Sequence, residues 1–441
     1  MLSESDVVAA LELRWPESQI DPSLARITAL LDLLGDPQTA YPVIQVTGTN
    51  GKTSTARMIE ALLRAHGLRT GLFTSPHLTT VRERIVFDGE PIDEARFIAT
   101  YVDIAPYVDL VDTNAVAAGD VPMTYFEVLT GMFFAACADA PVDVAIVEVG
   151  MGGSWDATNV ADAAVAVITP IGLDHMEFLG DNVRDIALEK SGIIKADASA
   201  VIAPQVPEVL EVLLERCREV QASWVVAGVD FGLVSRNLAV GGQVIEVQGL
   251  RGVVNDVFLP VFGPHQAGNA TLALVAVEEF LGQDALDADL VRDGFALVSS
   301  PGRLEIVRRS PTVIVDAAHN PHGAAALAEA LNDSFDFGAV IALVAMFADK
   351  DARGFLETLE PAVDAVVVST NSSPRSLDAD ALAAIAVDVF GTDRVLVEPQ
   401  LAHALEAAIT LADETDAASA GIVVTGSVVT VADVRKLVGR A

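Results

Sequence analysis

The chain has 441 residues, of which 51% are hydrophobic, and its formal net charge at pH 7 is −35. Its length predicts two or three domains, and its apolar content is sufficient for large buried cores. So negative a chain is a poor partner for nucleic acid or an anionic membrane surface, because both bind basic surfaces. An anionic substrate would therefore need a locally basic site, which gives weight to the few cations found within motifs.

Lysine is scarce, with five residues against 22 arginines. The two cysteines, Cys137 and Cys217, lack motif spacing, so we expect no disulfide framework and a reducing compartment. The longest apolar run, "AVIALVAMFA" from Ala339, is shorter than the roughly 20 residues that a membrane-spanning helix needs. These observations predict a cytoplasmic protein without membrane contact.

The first strong pattern is "VIQVTGTNGKTSTARM", which predicts a buried strand, a loop and a helix. It approximates the phosphate-binding loop G-x-x-x-x-G-K-[ST], except that the first glycine is displaced to Gly48. Backbone N–H groups of this loop and the helix N-terminus would bind phosphate oxygens. Lys52 would reach the terminal phosphates, and the Thr53 hydroxyl suits Mg²⁺ or phosphate.

A second segment, "TSPHLTTVRERI", follows the predicted strand "RTGLFT". Ser75 and His77 are close together there, and Arg82 and Arg84 add positive charge. In an open α/β sheet, ligands bind at the carboxyl ends of the strands, where this segment begins. Taken alone, the segment favours a surface turn with a solvated charge pair over a binding site. Taken with the phosphate loop, it indicates a binding site.

Two further strands end in candidate site residues. "VDVAIVEVG" carries Glu148 near its end, and a carboxylate beside a phosphate loop is typical of a Mg²⁺ ligand. "AVAVITP" is followed by His175 at the same predicted sheet edge. Asp156 and Asn159 are as consistent with capping a helix or turn as with binding a substrate. Lys190, in a predicted helix, could form a surface ion pair, and the residues alone assign it no function.

The pattern of apolar and polar residues then changes at two places along the chain. Residues 228–262 are glycine-rich with short alternating stretches, which predict a small antiparallel insertion before the helical "QAGNATLALVAVEEFLG". "LVSSPGRLE", residues 297–305, marks a boundary, because Ser-Ser-Pro-Gly ends one helix and precedes a new start. After it, strands and helices alternate again in "TVIVDAAHNP", "AVIALVAMF", "AVVVST" and "GIVVTGS". This alternation predicts a second, smaller doubly wound α/β domain.

These motifs, in this order, closely resemble the folylpolyglutamate synthase and dihydrofolate synthase family, part of the wider Mur-ligase-like group. The resemblance covers nearly the whole chain, from "IDPSLARITALLDLLGDPQ" to "TGSVVTVADVR". The phosphate loop and "DAAHNPHG" are shared with the wider group, whereas "SPHL", "RERI", "EVGMGG", "DATN" and "EKSGIIK" point to the folate branch. The resemblance implies an α/β protein. Residues 1–298 would form a P-loop ATPase-type parallel sheet with a small antiparallel insertion, and residues 299–441 a smaller Rossmann-like domain.

The resemblance also implies site residues. The residues expected to bind ATP are Gly48, Thr49, Asn50, Gly51, Lys52, Thr53, Ser54, Asn269, Arg303, Asp316 and His319. Those expected to hold two Mg²⁺ ions are Ser75, Glu148, His175 and Lys190, with a CO₂-derived carbamate on Lys190. Lys52, Lys190, Glu148 and His175 are the expected catalytic residues. Those expected to bind pteroate or folate are Asp21, Pro22, Ser23, Leu24, His77, Arg82, Thr124, Phe126, Trp155, Asp156 and Ala157.

The implied reaction is ATP-dependent addition of L-glutamate to dihydropteroate or to (tetrahydro)folyl-(poly)glutamate through an acyl phosphate, giving ADP and phosphate. Mg²⁺ with Lys52 and Arg303 would let the substrate carboxylate approach the γ-phosphate. Only a neutral amine takes up CO₂, so Lys190 is expected in a desolvated or cation-rich pocket that lowers its pKa. We expect a monomer that carries out both additions, although the motifs do not decide between them.

One position departs from the family pattern. The family typically has arginine after the glycine pair of "EVGxGG", and this chain has Ser154. The change removes a long cation beside the expected metal and acyl site, but leaves the matched metal ligands and phosphate loop unchanged. The resemblance therefore implies weaker substrate binding or lower turnover than in relatives that carry the arginine.

Two alternatives remain open at this point. One is a muramyl-type peptide ligase acting on a UDP-sugar peptide, which "SPHL" together with "RERI" disfavours. The other is a nucleotide-dependent binding protein whose catalysis is weakened or lost, with Ser154 as the lesion. The retained Glu148, His175 and Lys190 argue against the second alternative.

Overall fold

The structure is a computed structural model that describes residues 2–16, 21–282, 285–415, 417 and 419–440. Its α-helices are α1 Glu4–Glu12, α2 Ala25–Leu33, α3 Lys52–Ala65, α4 Glu94–Ala117, α5 Tyr125–Asp139, α6 Met176–Leu179, α7 Val183–Ser191, α8 Pro207–Val220, α9 Pro264–Leu281, α10 Ala288–Ala296, α11 Pro321–Ser334, α12 Ala352–Leu359, α13 Ala379–Phe390, α14 Leu401–Glu414 and α15 Val428–Leu437. Among the described residues, no helix combines the length and the apolar character needed to cross a bilayer.

The strands are β1 Val43–Thr47, β2 Thr70–Phe73, β3 Ile85–Phe87, β4 Glu90–Pro91, β5 Val144–Glu148, β6 Val165–Ile168, β7 Ser199–Ile202, β8 Ser223–Val226, β9 Gly232–Ala239, β10 Gly242–Gln248, β11 Val253–Leu259, β12 Glu305–Arg309, β13 Thr312–Val315, β14 Ala339–Val344, β15 Ala365–Val368, β16 Val395–Val397 and β17 Ala420–Thr425. They form sheets of eight, three and six strands.

The eight-stranded sheet has the order β4-β3-β2-β5-β1-β6-β7-β8. From β2 to β8 in that order all neighbours are parallel, and β3 and β4 add an antiparallel edge. In the register, Val46 pairs with Glu148 and Thr47 pairs with Ile168. The carboxyl ends of β5, β1 and β6 therefore lie level with one another, which brings the segments after them to one edge.

Helices cover this sheet because its strands are apolar on both faces, as expected for parallel pairing. One buried cluster packs residues of α2, α4 and α5 against β1, β2 and β5, and includes Phe73 and Phe133. Another packs α7 and α8 against β6 and β7, and includes Ile186 and Ile202. The predicted strands at β1, β5, β6 and β7 are confirmed.

Helix α3 is amphipathic, as its sequence predicts. Met58, Ile59, Leu62 and Leu63 are all fully buried. The helix ends where Gly67 adopts φ of +83° and the N–H of the following residue donates to the carbonyl of Leu63 at 3.1 Å. This is the hydrogen bond that closes a Schellman-type helix end.

The six-stranded sheet has the order β12-β13-β17-β14-β15-β16, with β12 antiparallel and the remaining neighbours parallel. Its core includes Phe355, Leu356 and Phe390. The second doubly wound α/β fold is therefore confirmed. The predicted insertion is the three-stranded sheet β11-β10-β9.

The chain forms two compact units. The first comprises the chain up to Ser235 together with Glu246–Val257 and Gly268–Val298. The second comprises Arg236–Ile245, Phe258–Ala267 and the chain from Ser299. The small sheet and helix α9 thus have residues in both units. The predicted domain bounds, 1–298 and 299–441, treat each domain as one continuous segment and stay a prediction.

The core of the second unit can be tested at Phe355, which is fully buried in α12. Phe355→Ala should lower the free energy of unfolding by about 3–5 kcal/mol, because it leaves a cavity in a closely packed core. The control is Leu396→Ala in edge strand β16, where the side chain is 41% exposed and the loss should stay within about 0.5 kcal/mol. Denaturant unfolding measures both, and equal losses would contradict the assigned core.

Candidate active site

The phosphate-loop motif lies directly after the central strand β1 and leads into α3 at Lys52. Gly48 has φ of +143°, and a Cβ atom built on it would lie 1.9 Å from the hydroxyl oxygen of Thr169. Glycine is therefore needed at this position, both for the backbone conformation and for the close approach. Val46, at the position of the usual first glycine, is a buried residue within β1. The displaced glycine follows from where the strand ends.

Two side chains hold the loop in shape. The Lys52 ammonium donates to the carbonyls of Gly48 and Thr49 at 3.2 and 3.0 Å. The Thr49 hydroxyl donates to the carbonyl of Gly172 at 2.9 Å, and its backbone N–H donates to Pro170 at 3.0 Å. The charge of Lys52 thus lies over the loop, where a phosphate bound to the backbone N–H groups would meet it.

The carboxylate of Glu148 lies beside the first turn of α3 and is almost fully buried. It accepts hydrogen bonds from the Thr53 hydroxyl at 2.8 and 3.0 Å and from the Ser75 N–H at 3.3 Å. The structure therefore brings these three predicted residues together. A carboxylate with hydroxyl groups nearby is the oxygen-donor chemistry that Mg²⁺ prefers.

His175 follows β6 and adopts a left-handed conformation with φ of +51°. Its N–H donates to the Asp174 carboxylate at 2.9 Å, and its Nε2 lies 3.8 Å from the other carboxylate oxygen. The sequence reasoning did not select Asp174. The available signal was its position next to His175 at the carboxyl end of a parallel strand.

A small cleft joins these elements. Its lining residues are Gly48, Thr49, Lys52, Gly150, Met151, Asp174, His175, Leu179 and Lys190. Burial and, after it, the nearby charge of Lys52 lower the pKa of Lys190 to about 7, although Asp174, Asp156 and Glu189 act in the opposite direction. The expected desolvated, cation-containing pocket around Lys190 is confirmed.

Across the described residues, no cluster of three or more histidine, cysteine, aspartate or glutamate side chains could by itself hold a metal ion. The predicted Mg²⁺ ligands would therefore need the Ser75 hydroxyl and an oxygen ligand on Lys190 in addition to Glu148 and His175. The depressed pKa of Lys190 fits this requirement, because a neutral amine can be converted to a carbamate.

The loop after β5 is tied to the end of α7, the helix that carries Lys190. The N–H and the hydroxyl of Ser154 both donate to the carbonyl of Glu189 at 3.0 Å. The Asn159 amide donates to the carbonyls of Ser154 and Gly192 at 3.0 and 3.3 Å. Ser154 therefore caps the helix on which Lys190 lies.

Asp156 shapes the same loop from within. Its carboxylate accepts hydrogen bonds from the Met151 N–H, the Thr158 N–H and the Thr158 hydroxyl, and burial raises its pKa. The neighbouring Trp155 is half-buried, and its N–H donates to the Glu189 carboxylate at 3.3 Å. Ala157 begins a short helical turn directly after Asp156.

The segment after β2 separates its two arginines. Arg84 is buried, donates to His77 Nδ1 at 2.9 Å and lies over the ring of Tyr125 at 5.2 Å. Arg82 donates instead to Glu4 and to the carbonyl of Ile92, both at 3.0 Å. The sequence predicted Arg84 only as a source of positive charge, and not its contacts with His77 and Tyr125. "RERI" was the sequence signal for Arg84.

The remaining predicted ATP residues fall in different units. Asn269 lies against the phosphate loop, because a Cβ atom built on Gly51 would be 2.6 Å from its side-chain oxygen. Arg303, Asp316 and His319 belong to the second unit. There the Asp316 carboxylate accepts the N–H of Leu304 and of Ala318, each at 2.9 Å.

Leu304 is buried with φ of +47°, a conformation that costs energy for a residue with a side chain. The bond from its N–H to Asp316 holds the turn that follows Arg303. His319 lies 2.9 Å, through Nδ1, from the carbonyl of Ala317. His265, which was not predicted, is also near Asp316, and burial lowers its pKa.

Domain families match most of the chain. The Mur ligase middle domain matches residues 46–90 and 95–277, and the Mur ligase glutamate ligase domain matches residues 302–428. The dihydrofolate synthase/folylpolyglutamate synthase of Mycobacterium tuberculosis is 52% identical over 98% of this chain and 93% of its own length. The protein of the same description from Escherichia coli is 34% identical over 82% of this chain and 81% of its own length.

Solved structures agree with these similarities. The fold matches M. tuberculosis folylpolyglutamate synthase complexed with ADP at a TM-score of 0.96 and 52% identity, over 99% of this chain and 98% of that one. It also matches E. coli FolC in complex with DHPP and ADP at a TM-score of 0.86 and 31% identity, with the same coverage of 99% and 98%.

The titration of Lys190 predicts a pH-dependent stability. Its pKa is lowered from 10.5 to about 7 in the folded chain. Below about pH 7 the lysine is charged in both states, and folding bears the full cost of burying that charge. Between about pH 7 and 10.5 the unfolded lysine holds a proton that the folded one lacks, so stability rises with pH. Above about pH 10.5 the lysine is neutral in both states, and folding no longer bears the cost of burying its charge.

Lys190→Met should therefore stabilise the protein most below pH 7, and its advantage should shrink by about 1.4 kcal/mol per pH unit from roughly pH 7 to 10. Denaturant unfolding in CO₂-free buffer at several pH values measures this. Lys436→Met, at an exposed position, is the control. An advantage for Lys190→Met that does not change with pH would contradict the burial of an ionisable amine.

The close contact at Gly48 predicts a specific binding defect. Gly48→Ala should weaken ADP binding at least about tenfold, because the loop must shift away from Thr169. Gly67→Ala is a matched control, since Gly67 also has positive φ, of +83°, but nothing lies within 4 Å of a Cβ atom built there. Calorimetric titration of both variants measures the two affinities, and equal affinities would contradict the predicted collision at Gly48.

Proposed function

The chain belongs to the dihydrofolate synthase/folylpolyglutamate synthase family, and from that premise we propose that it adds L-glutamate to dihydropteroate and to folyl-(poly)glutamates. It is an ATP-dependent ligase, as are its relatives. The muramyl-type alternative loses support, because identity to the folate-branch relative extends over 98% of the chain. The catalytically weakened binding protein remains the alternative that an assay must exclude.

One observation carries the proposal. The cleft that begins at Gly48 of the phosphate loop also contains Lys52, His175 and Lys190. Glu148 lies beside the helix that this loop opens, hydrogen-bonded to Thr53. A nucleotide's phosphates would thus meet backbone N–H groups, a lysine and a buried carboxylate within one unit of the fold.

We propose that Ser75, Glu148, His175 and a carbamate on Lys190 hold Mg²⁺ ions. Bound Mg²⁺ would neutralise phosphate charge and polarise the phosphoryl oxygens. The carbamate forms when the neutral Lys190 amine attacks CO₂, makes an N–C bond and loses a proton. Its low pKa makes the neutral amine abundant near neutral pH.

The proposed chemistry needs charge neutralisation rather than a protein nucleophile. A substrate carboxylate oxygen attacks the γ-phosphorus of ATP, and the bond to the ADP oxygen breaks. The neutral amine of glutamate then attacks the acyl carbon, releasing phosphate and a proton as the amide forms. Lys52, held over the loop by two carbonyls, would stabilise negative charge on the phosphates.

The residues proposed for the pteroyl group lie on three segments: Asp21–Leu24, the start of α5 and the loop after β5. The buried Arg84 donates to His77 and lies over the ring of Tyr125, in the first turn of α5. We further propose a cytoplasmic monomer that performs both glutamate additions. The shared description of the M. tuberculosis and E. coli relatives, which names both activities, supports the two additions.

Purified protein with ATP, Mg²⁺ and glutamate should release ADP when either dihydropteroate or tetrahydrofolate is added separately. Lys190→Ala should lose at least about a hundredfold in turnover, because removing a group that orders charge at the reacting atoms typically costs that much. A short carboxylic acid should restore part of the activity by replacing the carbamate oxygens. A coupled ADP assay with chromatography of the product measures all three results.

Lys436→Ala, at an exposed position of α15, is the control and should retain full activity. Full activity in Lys190→Ala would contradict the carbamate proposal but not the proposed ligase activity. A wild-type protein that binds ADP yet releases none from ATP with either substrate would favour the binding-protein alternative. Gain of turnover in Ser154→Arg would then identify the serine as the cause.

A further inference from the structure

One buried arginine joins two segments that are distant in the chain, residues 21–26 and residues 120–127. The Arg26 side chain is 2% exposed, and its Nε donates to both oxygens of Glu127 at 3.1 and 3.2 Å. Its Nη1 donates to Asp21 at 2.7 Å and to Asp120 at 3.2 Å, and its Nη2 donates to the carbonyl of Asp21 at 3.0 Å. The planar, five-donor guanidinium is the side chain suited to such divergent contacts.

Its partner Glu127 also forms hydrogen bonds with Thr124 at the start of α5. The Thr124 N–H donates to the Glu127 carboxylate at 2.7 Å, and the Glu127 N–H donates to the Thr124 hydroxyl at 3.2 Å. This reciprocal pair is a capping box, which fixes the first turn of a helix. Because Glu127 is 5% exposed, Arg26 also supplies the charge that allows this carboxylate to be buried. Arg26 therefore holds the capping box in place.

The first turn of α5 contacts the active-site cleft directly. A Cβ atom built on Gly150, which lines the cleft, would lie 2.7 Å from the ring of Phe126. Tyr125 lies under the guanidinium of Arg84, and Arg84 donates to His77. A shift of this turn would therefore move both the wall of the cleft and the segment after β2.

We propose that Arg26 is a positioning residue for the pteroyl substrate. It holds Asp21 and the Thr124–Glu127 turn in one fixed arrangement, and so sets the surface that receives the pteroyl group. This inference rests on the proposed function, because it assigns that surface to a pteroyl group. It assigns Arg26 no contact with ATP or with the reacting atoms.

Arg26→Lys tests the geometry while keeping the buried charge, since a single ammonium cannot reach Glu127, Asp21 and Asp120 together. The KM for the pteroyl substrate should rise about tenfold, and the KM for ATP and the kcat should change less than about twofold. Arg96→Lys is the matched control. Arg96 donates to the carbonyl of Ala136, near the far end of α5, and lies over Phe87, so its replacement should leave both KM values unchanged.

Hydrogen exchange supplies a readout that needs no substrate. In Arg26→Lys, exchange should accelerate in residues 120–128 and stay unchanged in the phosphate-loop helix, residues 52–65. Arg96→Lys should leave residues 120–128 unchanged. Equal increases in the KM for ATP and for the pteroyl substrate, or unchanged exchange at residues 120–128, would overturn the inference. If the wild type adds no glutamate to any pteroyl substrate, the proposed function fails, and accelerated exchange would then assign Arg26 a purely structural role.

Discussion

The parallel pairing of β1 with β5 and β6 is the constraint on which the candidate site depends. Its register sets Val46 against Glu148 and Thr47 against Ile168, so the next residues of all three strands emerge together. Gly48 and Thr169 then come so close that only glycine fits at position 48. A slip of one residue would turn Glu148 to the other face of its strand and separate it from Thr53.

Charge placement follows from the same geometry. A chain with a net charge of −35 can bind anions only where its cations are fixed locally. Two of its five lysines, Lys52 and Lys190, lie in one cleft. Burial and, after it, the proximity of Lys52 oppose the charging of Lys190 and so lower its pKa. The arrangement lowers the free energy of unfolding and leaves a neutral amine beside a fixed cation. A pKa shifted in this way is typical of a functional site rather than of a residue that stabilises the fold.

Sequence reasoning identified the parts of this molecule that are local in the chain. The strands β1, β5, β6 and β7 are continuous apolar runs, and Lys52, Thr53 and Glu148 lie in or next to a motif. The short strands β3, β4, β8, β12 and β16 were missed. They are two to five residues long, which is too short for a hydrophobic pattern to identify them.

The site residues that were missed depend on distant partners. Arg26 and Glu127 are 101 positions apart, and Arg84 acts through the ring of Tyr125, which lies on another element. No periodicity or spacing reports such pairs, because they form only when the helices pack. The resemblance to a family indicated the segments around Asp21 and Thr124, but not the arginine that joins them.

The departure at Ser154 can be judged from the same contacts. Its N–H and its hydroxyl both donate to the carbonyl of Glu189 and so cap the C-terminal end of the helix that carries Lys190. A serine is therefore sufficient to hold that helix in place. An arginine there would add a cation near a helix C-terminus, an effect worth about 0.3–1 kcal/mol at an exposed position. Compared with the family's arginine, the serine lacks a charge at an exposed position and leaves the placement of Lys190 intact. We therefore attribute any loss it causes to weaker attraction of an anionic substrate rather than to the proposed metal ligands.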